Sequence, residues 1–201
     1  MLTPDALKKI RTRAVRLRRL LANEEKAHGA VDDGAGKRYL IGPLFVQCGD
    51  LAAALEHYAW YERACGDDCG EPIHYLFWTL ALYRSGDRDG AREKLLETMI
   101  QNIYLLPELL GTPVKAEEIW HCSNWVTPGY MTETPGEFVP VLSEEERAWI
   151  AGELETDRFR RVKAEYVSTF GALKHERDIK ARRAILDRWN KFWAGRSSLA
   201  G

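Results

Sequence analysis

Cys65 and Cys69, with three residues between them, and the adjacent pair His121-Cys122 are the first residues to weigh for chemistry. Thiolates and imidazoles suit a tetrahedral zinc ion. Only one of these pairs has a ligand-like spacing, and Cys48 and Cys65 fall at helical positions that suit small buried side chains, so no metal is expected. Asp33-Gly34-Ala35-Gly36-Lys37-Arg38 has the outline of a phosphate loop. Val31 stands where that loop needs its first glycine, and Arg38 where Ser or Thr would bind magnesium. The histidines, His28, His57, His74, His121 and His175, are scattered. Glu117-Glu118 and Glu144-Glu145-Glu146 fit a solvated face and a helix start better than a catalytic carboxylate pair. No G-x-S-x-G, H-E-x-x-H or dinucleotide fingerprint occurs. The chain is therefore expected to be no enzyme and to need no cofactor, with an unrecognised site near the 122–142 loop as the exception left open.

The elements that position these residues are all helical in pattern. Thr3-Pro4-Asp5 is a helix start, and Leu7, Ile10, Ala14, Leu17 and Leu21 follow on one stripe, predicting a basic amphipathic helix over 1–28. Gly29 to Gly36, with Asp32-Asp33-Gly34, should end it as a loop. Helical hairpins are expected over 37–65 and 72–100, separated by a turn at Gly66-Asp67-Asp68-Cys69-Gly70 and each broken internally by Gly-Asp, at Gly49-Asp50 and Gly86-Asp87. Pro43 should kink the first of these helices or mark its start. Tyr104 to Gly111 should be a short helix, and Thr112-Pro113 should open another through Trp120. Residues 122–142 lose all periodicity, and their Trp125, Tyr130, Met131 and Phe138 predict a loop that packs on something. Ser143 and Glu146 form a capping box, after which Val162, Tyr166, Phe170 and Leu173, then Ile185, Trp189 and Phe192, mark C-terminal helices over 143–201. The expected fold class is all α, in one helical domain of 201 residues.

Net charge is −1, yet it is sorted along the chain: +5 over residues 1–41, −14 over 42–157 and +8 over 158–201. An acidic middle would attract its own basic ends, which could equally meet an anionic partner. The basic residues of the first helix, with Arg158, Arg160, Arg161 and Lys163 and with Lys180, Arg182, Arg183, Arg188 and Lys191, could track a phosphate backbone. Trp189 and Trp193 could stack on bases or belong to a core stripe. No membrane partner is expected, because the first helix has a narrow apolar stripe and no aromatic anchors. The lack of an apolar leader or a spanning segment, together with four cysteines, points to the cytoplasm.

Two stretches share one pattern. Ile41-Gly42-x-x-Phe45 then Ala54-x-x-x-Tyr58 is repeated, 37 residues on, by Tyr75-x-x-Trp78-Thr79-x-x-Leu82 then Ala91-x-x-x-Leu95. This resembles the tetratricopeptide repeat, W-x-x-L-G-x-x-Y then A-x-x-x-F. The likeness covers residues 37–102 as two degenerate copies, in which Thr79 replaces a small residue and the closing proline is absent. It implies stacked antiparallel helical hairpins flanked by amphipathic helices and one long irregular loop, with Gly42, Ala54, Thr79 and Ala91 where helices touch.

The resemblance also implies a groove lined by the first helix of each hairpin, falling here on Tyr39, Pro43, Val46 and Gln47 and on Leu76, Leu80, Tyr83 and Arg84. Candidate partner-binding residues are Tyr39, Gln47, Leu76, Leu80, Tyr83 and Arg84. So apolar a surface should be covered, by the first helix or the Trp189 region of the same chain, or by a partner helix or a second copy. The expected function is a protein-interaction scaffold or adaptor for a protein or peptide, with homodimerisation open. The alternative is a binder of RNA or another anionic polymer.

Overall fold

The computed structural model describes residues 3–29, 31, 33–66 and 68–199; Asp32 and Asp67 of the expected loop and turn lie outside the described residues. Among the described residues the chain is all α, with ten α-helices and no strand. It divides into two compact units, residues 1–98 with 137–140, and residues 99–136 with 141–201.

The first unit begins with α1 (Pro4–His28), started by the Thr3 hydroxyl accepting the Ala6 N–H and ended by Gly29 in the left-handed region. Of its stripe, Ala14 and Leu21 are buried and Leu7, Ile10 and Leu17 half-buried. That stripe packs on α2 (Lys37–Gln47), so the chain covers this surface with its own first helix. The basic face of α1 is partly neutralised by the same docking, through Arg11 to Asp50 at 2.8 Å and Arg18 to Glu56 at 2.9 Å. The Arg18 guanidinium also lies 5.2 Å from the centre of the Phe45 ring.

Pro43 lies inside α2, which starts six residues earlier. Without an N–H at position 43, the helix leaves the Tyr39 carbonyl without its usual donor. His74 Nδ1, on the helix that begins at Pro72, approaches that carbonyl at 3.3 Å. α3 (Leu51–Ala64) is capped by Asp50, whose carboxylate accepts the Ala53 N–H. α4 (Pro72–Ser85) is apolar on nearly every side and buried from Ile73 to Ala81 apart from Tyr75, as a helix enclosed by others must be. It packs against both α2 and α3. α5 (Arg88–Gln101) closes over α4, with Lys94 Nζ 3.6 Å from the centre of the Trp78 ring.

Gly42, Ala54, Thr79 and Ala91 are all buried. At Gly42 the reason is steric: a Cβ there would overlap the Tyr58 ring, which itself stacks on Trp78 at 4.9 Å. Thr79 is accommodated because its hydroxyl meets that of Thr98 at 3.1 Å, so burial leaves no polar orphan.

The second unit is pinned by Asn102, fully buried at the end of α5. Its Oδ1 accepts the N–H groups of Tyr104 and Leu105, opening α6 (Leu105–Leu109), while its Nδ2 donates to the carbonyls of Trp125 and Thr127. Glu108 of α6 accepts the Gly129 and Met131 N–H groups and so holds the start of the single-turn α7 (Tyr130–Glu133). The capping box at Ser143 and Glu146 is present and starts α8 (Glu144–Leu154). Thr156 caps α9 (Asp157–His175), and Asp178 caps α10 (Ile179–Ala194). Ile103, Tyr104, Ile119, Tyr166 and Trp189 form the core between them.

The helix expected from Thr112 to Trp120 is not formed. The segment's backbone is satisfied from outside instead, with the Glu117 N–H donating to Tyr104 Oη and the Trp120 N–H to the Phe170 carbonyl, each at 2.9 Å. A helix this short is marginal alone, whereas the open conformation buries Ile119 in the core.

Two substitutions test this description. Gly42→Ala should lower stability by about 1–3 kcal/mol through overpacking against Tyr58, read as a lower urea midpoint at unchanged slope. Asn102→Ala should cost about 2–4 kcal/mol, because four hydrogen bonds lose their partner in a buried setting.

Candidate peptide-holding site

Gln47 ends α2 one turn after Pro43, and its direction depends on how the start of that helix is fixed. Gly36 offers no side-chain cap. Asp33 serves instead, accepting the Arg38 N–H at 2.7 Å and the Lys37 ammonium at 3.2 Å. Burial pushes the Asp33 carboxyl up, but the Arg38 and Lys37 donors outweigh it and hold it below the usual carboxylate range. Arg38 then spans to Asp68 at 2.7 Å and donates to Tyr39 Oη at 2.8 Å, while Tyr39 Oη donates to Asp68. Burial and the Asp68 charge together raise the Tyr39 phenol, which stays neutral. Asp68 is likewise pushed up by burial and pulled lower overall by Tyr39 and Arg38.

Behind this clasp sit two buried histidines. Each faces a main-chain carbonyl, which only accepts, so the proton lies on Nε2 of His57 toward Arg38 O at 2.8 Å and on Nδ1 of His74 toward Tyr39 O at 3.3 Å. Burial lowers the pKa of His57 to about 4 and that of His74 to about 3, with the carbonyl contacts offsetting only part of the shift. The rings of Tyr39, Tyr58, Tyr61, Tyr75 and Trp78 surround His74 at centroid distances of 4.5–6.4 Å. His74 is fully buried in the core, and His57, 2% exposed, lies at the floor of a pocket of about 240 Å³ that Glu25 and Glu56 also line.

With α2 so fixed, the Gln47 amide donates to the main-chain carbonyl of Glu137. Arg13 of α1 reaches the Glu137 carboxylate at 3.4 Å, and its guanidinium lies 5.8 Å from the centre of the Phe138 ring. Residues 137–140 thus join the first unit, although the chain on either side of them belongs to the second. The loop residues singled out for packing behave unequally: Tyr130 and Pro140 are buried, Met131 and Phe138 half-buried, and Trp125 exposed.

Of the six candidate partner-binding residues, only Gln47 and Arg84 reach solvent. Leu76 and Leu80 are fully buried, Tyr39 is inside the clasp, and Tyr83 is covered by the Arg88 guanidinium 3.3 Å from its ring centre. The apolar surface implied at these positions is covered within the chain, because α4 is enclosed by its neighbours rather than left on a concave face. Pro43 and Val46 are buried as well. Arg13 was legible only as one member of a basic face, and nothing in its spacing set it apart.

Elsewhere, the second unit carries a groove of about 480 Å³ with Ile103, Leu110, Val114 and Phe159 in its wall and Lys115 and Lys163 among its polar residues. No cluster of three or more His, Cys, Asp or Glu able to hold a metal occurs among the described residues, so Cys65, Cys69, His121 and Cys122 do not form one. Trp189 packs edge-on against Tyr166, and Trp193 stacks on Trp189 beneath Arg196, which places both in the packed part of the second unit. Lys180, Arg183, Arg188 and Lys191 of α10 are exposed.

Both histidines have lower pKa values folded than unfolded, so the unfolded chain takes up protons first as pH falls below about 6.5. Their contribution to stability is complete above that pH and is lost on descending toward pH 4, by about 1.4 kcal/mol per pH unit for each histidine. Urea unfolding at pH 7.5, 6.5, 5.5 and 4.5 should show this slope, and His74→Leu should reduce it. At pH 7.5, His74→Leu should itself cost about 1–3 kcal/mol by orphaning the Tyr39 carbonyl, and less in a Pro43→Ala background that restores a helix donor. No family model, curated protein or solved structure matches the chain, so the tetratricopeptide-repeat likeness stands on the residues quoted for it alone.

Proposed function

We propose that this chain is a non-enzymatic interaction scaffold, built on two tetratricopeptide-like hairpins and binding a short segment of a protein partner in the cytoplasm. One observation carries this: Gln47 and Arg13 hold residues 137–138 through a main-chain carbonyl, a carboxylate and an aromatic ring. Main-chain capture supplies affinity that is indifferent to sequence, and the side-chain contacts supply selectivity. Three further features support the scaffold. Small or hydroxyl-paired residues occupy the helix crossings, α4 packs on both preceding helices, and Asp33, Arg38, Tyr39 and Asp68 stiffen the helix that carries Gln47. No helix among the described residues is long and apolar enough to cross a membrane.

Capture of a partner from native extract by the full chain, followed by titration of that partner, tests the proposal. Gln47→Ala and Arg84→Ala, the substitutions at solvent-reaching candidates, should each weaken binding by about threefold to tenfold. Equal affinity in both variants would remove these residues from the interface. Tyr39, Leu76, Leu80 and Tyr83 are unsuitable probes, since replacing them disturbs the core.

The exposed cations of α10 favour a second function, binding of RNA or another polyanion. It predicts retention on heparin and affinity that falls steeply between 50 and 200 mM salt, by about tenfold for every two phosphates contacted. Elution at low salt would exclude it.

A further inference from the structure

We infer that Glu137-Phe138-Val139-Pro140 is a built-in occupant of the Arg13–Gln47 site, and that the external ligand is a protein segment of the same chemistry, an acidic residue followed by an aromatic and, two residues later, a proline. This rests on the scaffold function proposed above and specifies both its ligand and its control.

The chain itself supplies the template. Glu137 is the only carboxylate in ion-pair reach of Arg13 among the described residues, and the same guanidinium faces Phe138, so one cation reads two consecutive side chains. Gln47 takes the carbonyl between them, which fixes the register of the peptide without asking for a particular residue. Pro140 is buried and gives the segment a foot, whereas Val141 beside it is 89% exposed. Such an arrangement discriminates by charge at the first position and by ring at the second.

The occupant is held in a way that permits exchange. Arg13 and Glu137 are 40% and 59% exposed, and ion pairs so open to solvent contribute little. Pro135 and Gly136 precede the segment and Pro140 ends it, a composition that continues neither a helix nor a sheet. The segment's advantage over an external peptide is therefore mainly its attachment, which raises its effective concentration at the site. A partner carrying the same motif with additional contacts outside it would displace the segment.

The test uses the full chain and a fluorescein-labelled peptide of residues 134–142, followed by fluorescence polarisation. Glu137→Ala combined with Phe138→Ala removes both side chains that Arg13 reads and leaves only the Gln47 main-chain contact, and this emptied variant should bind the probe about tenfold or more tightly than the unmodified chain does. Adding Arg13→Ala should cancel that gain, and a probe with alanine in place of its glutamate should show none. Equal binding by the unmodified and emptied chains, or a gain that survives Arg13→Ala, overturns the inference. If circular dichroism shows the double variant unfolded, Glu137→Gln, which keeps size and removes charge, must still give a smaller gain, and none overturns it. A stable dimer of the emptied variant in light scattering would also overturn it, assigning the site to a second copy. A captured partner that depends on Arg84 while the probe never binds would leave the scaffold function standing and remove this ligand alone.

Discussion

A single carbonyl governs the first unit. Pro43 deprives the Tyr39 oxygen of its helical donor in a place water does not reach, and an unpaired acceptor there would cost more than most contacts contribute. His74 answers it from another helix, and burial, not the carbonyl contact, keeps its imidazole neutral. The ring of aromatics around His74 supplies that burial, excluding the water an imidazolium would need for its hydration. Tyr58 can sit in that ring only because position 42 has no side chain. Three helices are thus located by one missing hydrogen and one missing carbon.

Rigidity passes from this core to the surface through charge. Asp33 and Asp68 bracket the start of α2, with Arg38 bridging them and Tyr39 closing the loop of hydrogen bonds. Such a network directs the far end of a helix only when every member is satisfied, and these members are. Gln47 and Arg13 stand on two helices whose relation is set by the apolar stripe of α1, so the placing of this polar pair is a product of apolar packing underneath.

Much of the helical framework was legible because it rests on local signals. Thr3, Asp50, Ser143 and Gly29 are caps whose chemistry acts within a few residues, and they start or end helices where their types imply. Gly42 and Ala91 were legible as close approaches through the repeat pattern, and both are buried, with no room for a side chain at Gly42. What could not be read depends on partners distant in sequence. Residues 112–120 carry a sound helix start at Thr112-Pro113, and Tyr104 Oη, the Phe170 carbonyl and the Ile119 pocket decide against it. The burial of Leu76 and Leu80 follows from the enclosure of α4, which its apolar composition hinted at but its repeat pattern concealed. Arg13 and Glu137 were unreadable as a pair for the same reason, since nothing local links them.

The membership of residues 137–140 in the first unit makes that unit discontinuous along the chain. Arg13 and Glu137 are separated by 124 positions. A polypeptide leaves the ribosome from its N-terminus, so α1 to α5 are exposed and able to fold well before the residues that complete their surface have been translated. During that interval Arg13 and Gln47 lack the segment that later meets them. On the ligand inferred above, the nascent chain would be the form most open to binding in trans, and occupancy would be decided by timing as well as by affinity.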